Sequence, residues 1–293
     1  MRAPHFALLP FLAGLLLSPV ASTLQAETPA PPTAVAAAGD LKDLPYRSGE
    51  NLDDYQKSRC RLDLYLPPSA KNFPTLVWLH GGALTGGVKD DPTVVAVARH
   101  FAASGIAVAA VNYRLSPKAK FPAYLDDTAA AFAWVKNNIA AHGGNPGRVF
   151  LGGHSAGGYL ALMIGMDSSY LKPYGMDIPA IAGLVPVAGQ TLTHYSIREE
   201  RGLPKDRIFA DGASPLHHVR KDAPPMILLY AEKDMALRAQ ENELLAAALR
   251  QAGHTAFTIR MIPGHDHGSV GNDLAKPGDE GFEAILKFVQ SVP

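Results

Sequence analysis

The sequence predicts an α/β domain built on a mostly parallel sheet with helices on both faces. Strand-like and helix-like segments alternate from about residue 59 to the end, and most of the strand-like ones are continuous apolar runs. Strands of a parallel sheet are covered on both faces and read in that way, while the intervening helices supply the crossovers that parallel pairing needs. The length of 293 residues is ample for one such domain with a full core.

In chain order, residues 59–66 alternate polar and apolar side chains and end at Pro67-Pro68. Residues 75–79 form a buried-type strand, 94–103 a helix and 106–111 a second buried strand. Over 125–141, Leu125, Ala129, Phe132, Val135 and Ile139 share one helical stripe, which Gly143-Gly144 stops. A short β-rich run over 148–152 leads into an apolar helix that starts near residue 156. Further buried strands are expected over 182–187 and 226–230, an amphipathic helix over 241–252, a strand over 255–261 and a closing helix over 281–290. Ligands of such sheets bind beyond the carboxyl ends of the strands, so functional residues are expected just after strands.

Residues 1–26 read as a signal peptide. Arg2 supplies a positive start, residues 6–17 an apolar run broken by Ser18-Pro19, and small residues lead to Ala26 as the cleavage position. The run is shorter than the ~20 apolar residues of a membrane span. Export, periplasmic or secreted, with no membrane insertion after cleavage, is therefore expected. Residues 27–40 form a flexible Pro/Ala-rich lead-in, and 41–293 the domain. Cys60 is the only cysteine, so no internal disulfide is available, and it is expected on an early strand as a small hydrophobe. Lys and Arg (27) balance Asp and Glu (27), with no basic stripe, which argues against a nucleic-acid partner. Oligomeric state is not specified.

The most informative motif is Gly153-His154-Ser155-Ala156-Gly157, a G-x-S-x-G placed where a strand runs into a helix. Such an elbow holds its serine in a strained conformation, with Gly153 and Gly157 giving strand and helix room to approach. It lifts the hydroxyl clear of the sheet and suits attack on an acyl carbon. A serine hydroxyl needs a base within hydrogen-bond reach and a third group to orient that base. Past the 226–230 strand stands Asp234, with Glu232 as competitor. Past the last strand, Pro263-Gly264-His265-Asp266-His267-Gly268 offers two histidines, of which His267 is favoured over His265. The two histidines and Asp266 are too thin a ligand set for a metal. His80-Gly81-Gly82 follows the 75–79 strand, where backbone N–H groups of Gly81 and Gly82, with that of Ala156, could receive an oxyanion. Neither G-x-G-x-x-G spacing nor a P-loop lysine follows, which argues against phosphate.

Taken together, Arg61-Leu62-Asp63-Leu64-Tyr65-Leu66-Pro67, His80-Gly81-Gly82, Asn112-Tyr113-Arg114-Leu115, Phe121-Pro122-Ala123 with Asp127, the serine motif, Ser214-Pro215 and Gly264-His265-Asp266-His267 carry a family resemblance. The chain resembles α/β-hydrolases of the hormone-sensitive-lipase-like and bacterial carboxylesterase/feruloyl esterase group, near the arylformamidases, from about residue 46 to 290. The resemblance implies the α/β-hydrolase fold and a serine hydrolase that cleaves small carboxylic esters through an acyl-enzyme, without a cofactor. It assigns Ser155 as nucleophile, Asp234 as acid, His267 as base and Gly81, Gly82 and Ala156 as oxyanion donors. His80, Gly153, His154 and Gly157 become supports of the loop and elbow, and Asp127 with Tyr113-Arg114 structural positions. Amidase, formamidase or aminopeptidase-like cleavage remains the alternative on the same triad, and a non-catalytic binding module on a hydrolase scaffold a more distant one. Ala83 departs from the family's third glycine, and Tyr230-Ala231 from a common His-Gly. Stretches 166–180 and 189–222 are short for a lid, so an open site is expected, with Tyr170, Tyr174, Tyr195, Ile197 and Phe209 as candidate wall residues.

Overall fold

The computed structural model describes residues 39–68 and 71–293; the signal peptide expected over 1–26 and most of the lead-in expected over 27–40 lie outside them. Eight strands form one sheet in the order β1-β2-β4-β3-β5-β6-β7-β8. They are β1 Leu41–Pro45, β2 Arg61–Tyr65, β3 Phe73–Leu79, β4 Ala107–Val111, β5 Gly144–His154, β6 Gly183–Val187, β7 Met226–Lys233 and β8 Phe257–Asp266. β1 and β2 pair antiparallel, as do β2 and β4, and every pair from β4 through β8 is parallel. The helices are α1 Asp54–Arg59, α2 Pro92–Ala103, α3 Ala123–Asn138, α4 Ala156–Met166, α5 Tyr195–Glu200, α6 Arg238–Gln251, α7 Ser269–Asn272 and α8 Glu280–Ser291.

Alternate strand residues face opposite ways, so the continuous apolar runs feed two cores at once. On one face Val77, Leu79, Val149, Leu151 and Leu228 pack with α3, α4 and α6. On the other, Leu76, Trp78, Phe150, Val185 and Leu229 pack against α2 and α8, through Phe101, Phe282 and Val289 among others. Each fully buried Leu or Phe stabilises the fold by about 1.5–3 kcal/mol relative to exposure. That two-sided burial is what the apolar runs predicted.

The ends of the elements differ from the sequence reading. The 59–66 segment is split: Arg59 closes α1, and the strand begins at Arg61. A capping box starts α1, with Asp53 accepting from the Gln56 N–H at 2.7 Å while its own N–H donates to the Gln56 side chain at 3.1 Å. Cys60 is therefore the C-cap of α1 rather than a strand residue, although it is buried as expected. β7 and β8 run three and five residues beyond their predicted ends, to Lys233 and Asp266. β1, α5 and α7 were not anticipated. Asp127 of α3 is buried and accepts from both the Nε (2.7 Å) and Nη2 (2.8 Å) of Arg114 and from Arg47 Nε (3.1 Å), which ties the exit of β4 to the helix. Among the described residues, no helix is long and apolar enough to cross a membrane.

Candidate active site

β5 ends at His154 and α4 starts at Ala156, so Ser155 is the single turn residue between them. Its backbone sits at φ 56, ψ −115, a region costly for any residue with a Cβ, by roughly 1–3 kcal/mol. Two bonds hold it there: its N–H donates to the Val187 carbonyl at 2.8 Å, and its carbonyl accepts from the Tyr159 N–H at 3.0 Å. Gly157 has no substitute in this turn, because a Cβ there would lie 2.0 Å from the Leu79 carbonyl oxygen.

The structure brings three of the sequence-predicted residues into one chain of hydrogen bonds. The Ser155 hydroxyl lies 2.9 Å from His267 Nε2, and His267 Nδ1 lies 2.6 Å from Asp234 Oδ1. With Nδ1–H donated to the carboxylate, Nε2 is free to accept the serine proton. Asp234 follows β7 directly, since that strand extends through Lys233, and its carboxylate also accepts from the N–H groups of Ala231 (3.0 Å) and Met235 (2.8 Å). Burial pushes this carboxyl up, but the hydrogen bonds from His267 and from the two backbone groups outweigh it and hold it below its ordinary value.

A β-bulge separates the chosen residues from their competitors. Ala231 pairs with Ile262, yet Lys233 pairs with Asp266, so β8 carries extra residues around Gly264, whose φ is +77. Glu232 is consumed by that bulge, accepting from the Gly264 N–H at 2.7 Å. His265 points to Asp279, 3.4 Å away, and Asp266 accepts from the Ser269 N–H at 2.8 Å at the start of α7. No group of three possible metal ligands occurs among the described residues.

The loop after β3 lies against the serine: a Cβ on Gly81 would come within 3.4 Å of Ser155 Cβ. Among the described residues the N–H groups of Gly81 and Gly82 donate to no acceptor within the chain. Ala156, as the first residue of α4, has an N–H without an intrahelical acceptor. Gly81 and Gly82 belong to the loop beside Ser155 and Ala156 follows it directly, so all three donors lie on segments that flank the hydroxyl. His80 supports the loop. Its Nδ1 donates to the Gly81 carbonyl (2.7 Å), its Nε2 faces Arg59 (3.4 Å), and its ring stacks on Tyr113 with centroids 4.4 Å apart. Burial pushes His80 down to about 4, so it stays neutral. His154 Nε2 donates to the His267 backbone carbonyl at 2.7 Å, which steadies the base from behind; burial, aided by His267, pushes it down to about 4 as well.

Sequence reasoning missed two supports. Arg59 reaches His80 from α1, and the Ser196 hydroxyl of α5 donates to the Ala83 carbonyl; neither has a local motif. Ala83 and Leu84 lie at φ 59 and 63, the left-handed region. Ala83→Gly is therefore expected to stabilise the fold by up to about 1 kcal/mol. The urea midpoint checks this, and a lower midpoint would mean that the methyl group packs usefully. Of the candidate wall residues, Ile197 is fully buried core and Tyr170 and Tyr174 pack against it. Tyr195 lines a cavity of about 520 Å³ on the β6–β7 side. A smaller cavity of about 220 Å³ lies beneath the Gly81-Gly82 loop, between Trp78, Asp91 and His154. Ser155, His267 and Asp234 line neither; His80, Gly81 and Gly82 of the loop line the smaller cavity, and Met235, next to Asp234, lines the larger.

A family model described as BD-FAE matches residues 62–177. Among curated proteins, Esterase LipQ of Mycobacterium tuberculosis is 29% identical over 253 residues, covering 78% of this chain and 57% of the relative. Probable isoprenylcysteine alpha-carbonyl methylesterase ICMEL1 of Oryza sativa subsp. japonica is 36% identical over 265 residues, covering 81% and 60%. The chain thus spans less than two thirds of the length of these relatives. Among solved structures, a truncated carbohydrate esterase from gut microbiota has a TM-score of 0.69 at 19% identity, covering 88% of this chain and 98% of that one. The hyperthermophilic esterase from Pyrobaculum calidifontis has a TM-score of 0.61 at 26% identity, covering 79% and 80%.

Proposed function

We propose that this chain, which is similar to α/β-hydrolase esterases, is a serine carboxylesterase of the hormone-sensitive-lipase-like group, acting on small esters and exported after removal of residues 1–26. The observation that carries the reading is the unbroken hydrogen-bonded run from Asp234 through His267 to the Ser155 hydroxyl, set beside unpaired N–H groups. That relatives sharing most of this chain bear esterase names supports the ester as substrate class.

In this reading His267 Nε2 takes the Ser155 proton as Oγ bonds to the acyl carbon. The carbonyl oxygen gains the negative charge and rests on the N–H groups of Gly81, Gly82 and Ala156. Asp234 stabilises the imidazolium and keeps its tautomer. The C–O bond to the alcohol then breaks, and His267 returns the proton to the leaving oxygen. Water attacks the acyl-enzyme through the same base, releasing the acid and restoring Ser155.

The test uses protein recovered from the exported fraction of expressing cells, where the chain is expected to begin near Glu27. Assayed on p-nitrophenyl esters from acetate to decanoate, on matched anilides and on formyl-kynurenine, it is expected to turn over esters fastest. Amide or formamide turnover exceeding ester turnover would replace the ester reading with the amidase one. Retention of residues 1–26 inside the cell would remove the export part.

A further inference from the structure

The 520 Å³ cavity contains chemistry that ester cleavage alone does not use. One wall is the segment after β6, with Gln190 and Leu192. The facing wall, Met235 to Leu237, continues directly from Asp234. α5 completes it through Tyr195 and Arg198, and α5 is bonded to the oxyanion loop by Ser196 and Ala83. The cavity therefore starts at the residue that follows Asp234 and is linked through α5 to the loop after β3, and its size is that of a small-molecule site.

Its mouth is apolar. Ile208, Met235 and Leu237 are 56%, 43% and 50% exposed, three of the six large apolar side chains so exposed among the described residues. Scattered exposed apolar residues are ordinary, but three around one opening mark a contact surface.

Its interior is cationic. Arg198 is only 6% exposed; one guanidinium nitrogen donates to the Arg207 carbonyl, while its Nε has no partner. Among the described residues no carboxylate forms an ion pair with it. The neighbouring Glu241 is fully engaged, with Arg238 Nε at 2.6 Å and the N–H groups of Thr191 (3.2 Å) and Leu192 (3.3 Å). Lys205, at the mouth, is matched by Glu199 at 2.9 Å. The remaining acid, Asp206, is an exposed lining residue that bonds no nitrogen of Arg198. Burial pulls the Arg198 guanidinium down from its ordinary value, against the pull of Glu241 and Asp206. The Gln190 side-chain oxygen is also buried without a partner. A desolvated guanidinium short of a counter-anion is costly, and the group that matches its planar fork is a carboxylate.

We propose that this cavity seats a carboxylate-bearing arm of the ester substrate, with the carboxylate on Arg198 and the apolar part of the arm against Met235, Leu237 and Ile208. The inference rests on the esterase reading. The test compares kcat/KM for two isosteric pairs, 3-acetoxybenzoate against 3-acetoxybenzamide and 4-nitrophenyl hydrogen glutarate against 4-nitrophenyl glutaramate. These place the charge on the leaving arm and on the acyl arm in turn. The wild type is expected to favour the acid in at least one pair by about tenfold or more, the size of a charge-assisted hydrogen bond. Arg198→Gln should reduce that preference to about twofold or less with the neutral ester still turned over, and Arg198→Lys should keep part of it. Equal rates for acid and amide in both pairs, or an intact preference in Arg198→Gln, would overturn the inference while leaving the esterase reading standing. Should Arg198→Gln fail to fold, inhibition of the wild type decides: competitive inhibition by benzoate but not benzamide supports the site, and equal effects overturn it. If the wild type turns over no ester, the esterase reading itself fails. Calorimetric binding of benzoate to the wild type then supports the anion site when present and overturns it when absent.

Discussion

Ser155→Ala is expected to lower kcat on p-nitrophenyl acetate by about four decades or more, with the far-UV spectrum unchanged. In the proposed mechanism the substitution removes the one atom that bonds to the acyl carbon. It leaves the His267–Asp234 hydrogen bond at 2.6 Å and the Gly81, Gly82 and Ala156 donors in place. What survives is the contribution of binding and oxyanion stabilisation, which is far smaller than that of the intact nucleophile. The backbone at φ 56 is imposed by the Val187 and Tyr159 bonds rather than by the hydroxyl, so the elbow should persist. A loss of less than tenfold in a pure sample would remove Ser155 from its role.

The second large effect is acid sensitivity. Burial pushes His80 and His154 down to about 4, and His194 well below its ordinary value in the same way. The unfolded chain holds these histidines near the ordinary 6.5. Over the window between the two values the unfolded state binds more protons, so stability rises with pH. The contribution is present in full above about pH 6.5 and is lost as pH falls through the folded value. For His80, which is fully buried, a shift from 6.5 to about 4 corresponds to about 3 kcal/mol. The structure shows why the proton is refused. His80 already donates from Nδ1 to Gly81, and a proton on Nε2 would face the Arg59 guanidinium. His154 donates from Nε2 to His267, and a second proton would add charge beside the base. Urea midpoints at pH 7.5, 6, 5 and 4 should therefore fall steeply across the lower three. A flat series would mean that these rings are not buried neutral.

How much of this was legible in the sequence depended on how local the signal was. The elbow and the His80-Gly81-Gly82 loop were readable because strand, turn and helix lie within a dozen residues, and the glycines mark the close approaches. The chain order of serine, acid and histidine brought Asp234 forward and left both His265 and His267 plausible on position, with His267 favoured. The reason they prevail over Glu232 and His265 was not readable, because it lies in a bulge between two strands and in Asp279 of a later helix. α5 was missed because it is short and lacks an apolar stripe of helical length. With it went the cavity around Arg198, which exists only where three separated segments meet. Cys60 was placed one element late because α1, with its capping box at Asp53, lies before the 59–66 segment in which a strand was expected.

The sheet order has a consequence for how the protein comes into being. From β5 outward, β6, β7 and β8 are laid down in the order in which they are translated, each on the edge left by the last. Synthesis delivers the chain amino terminus first, so β3, β5 and the elbow leave the ribosome before β7 and β8. A growing chain can thus complete the nucleophile turn and its receiving loop early, while the acid awaits the seventh strand and the base the eighth. Until that outer pair docks, the serine has no proton acceptor. In the proposed mechanism, closing the sheet's edge is then the step that arms the chain, and a product that stops before β7 is expected to show no ester turnover.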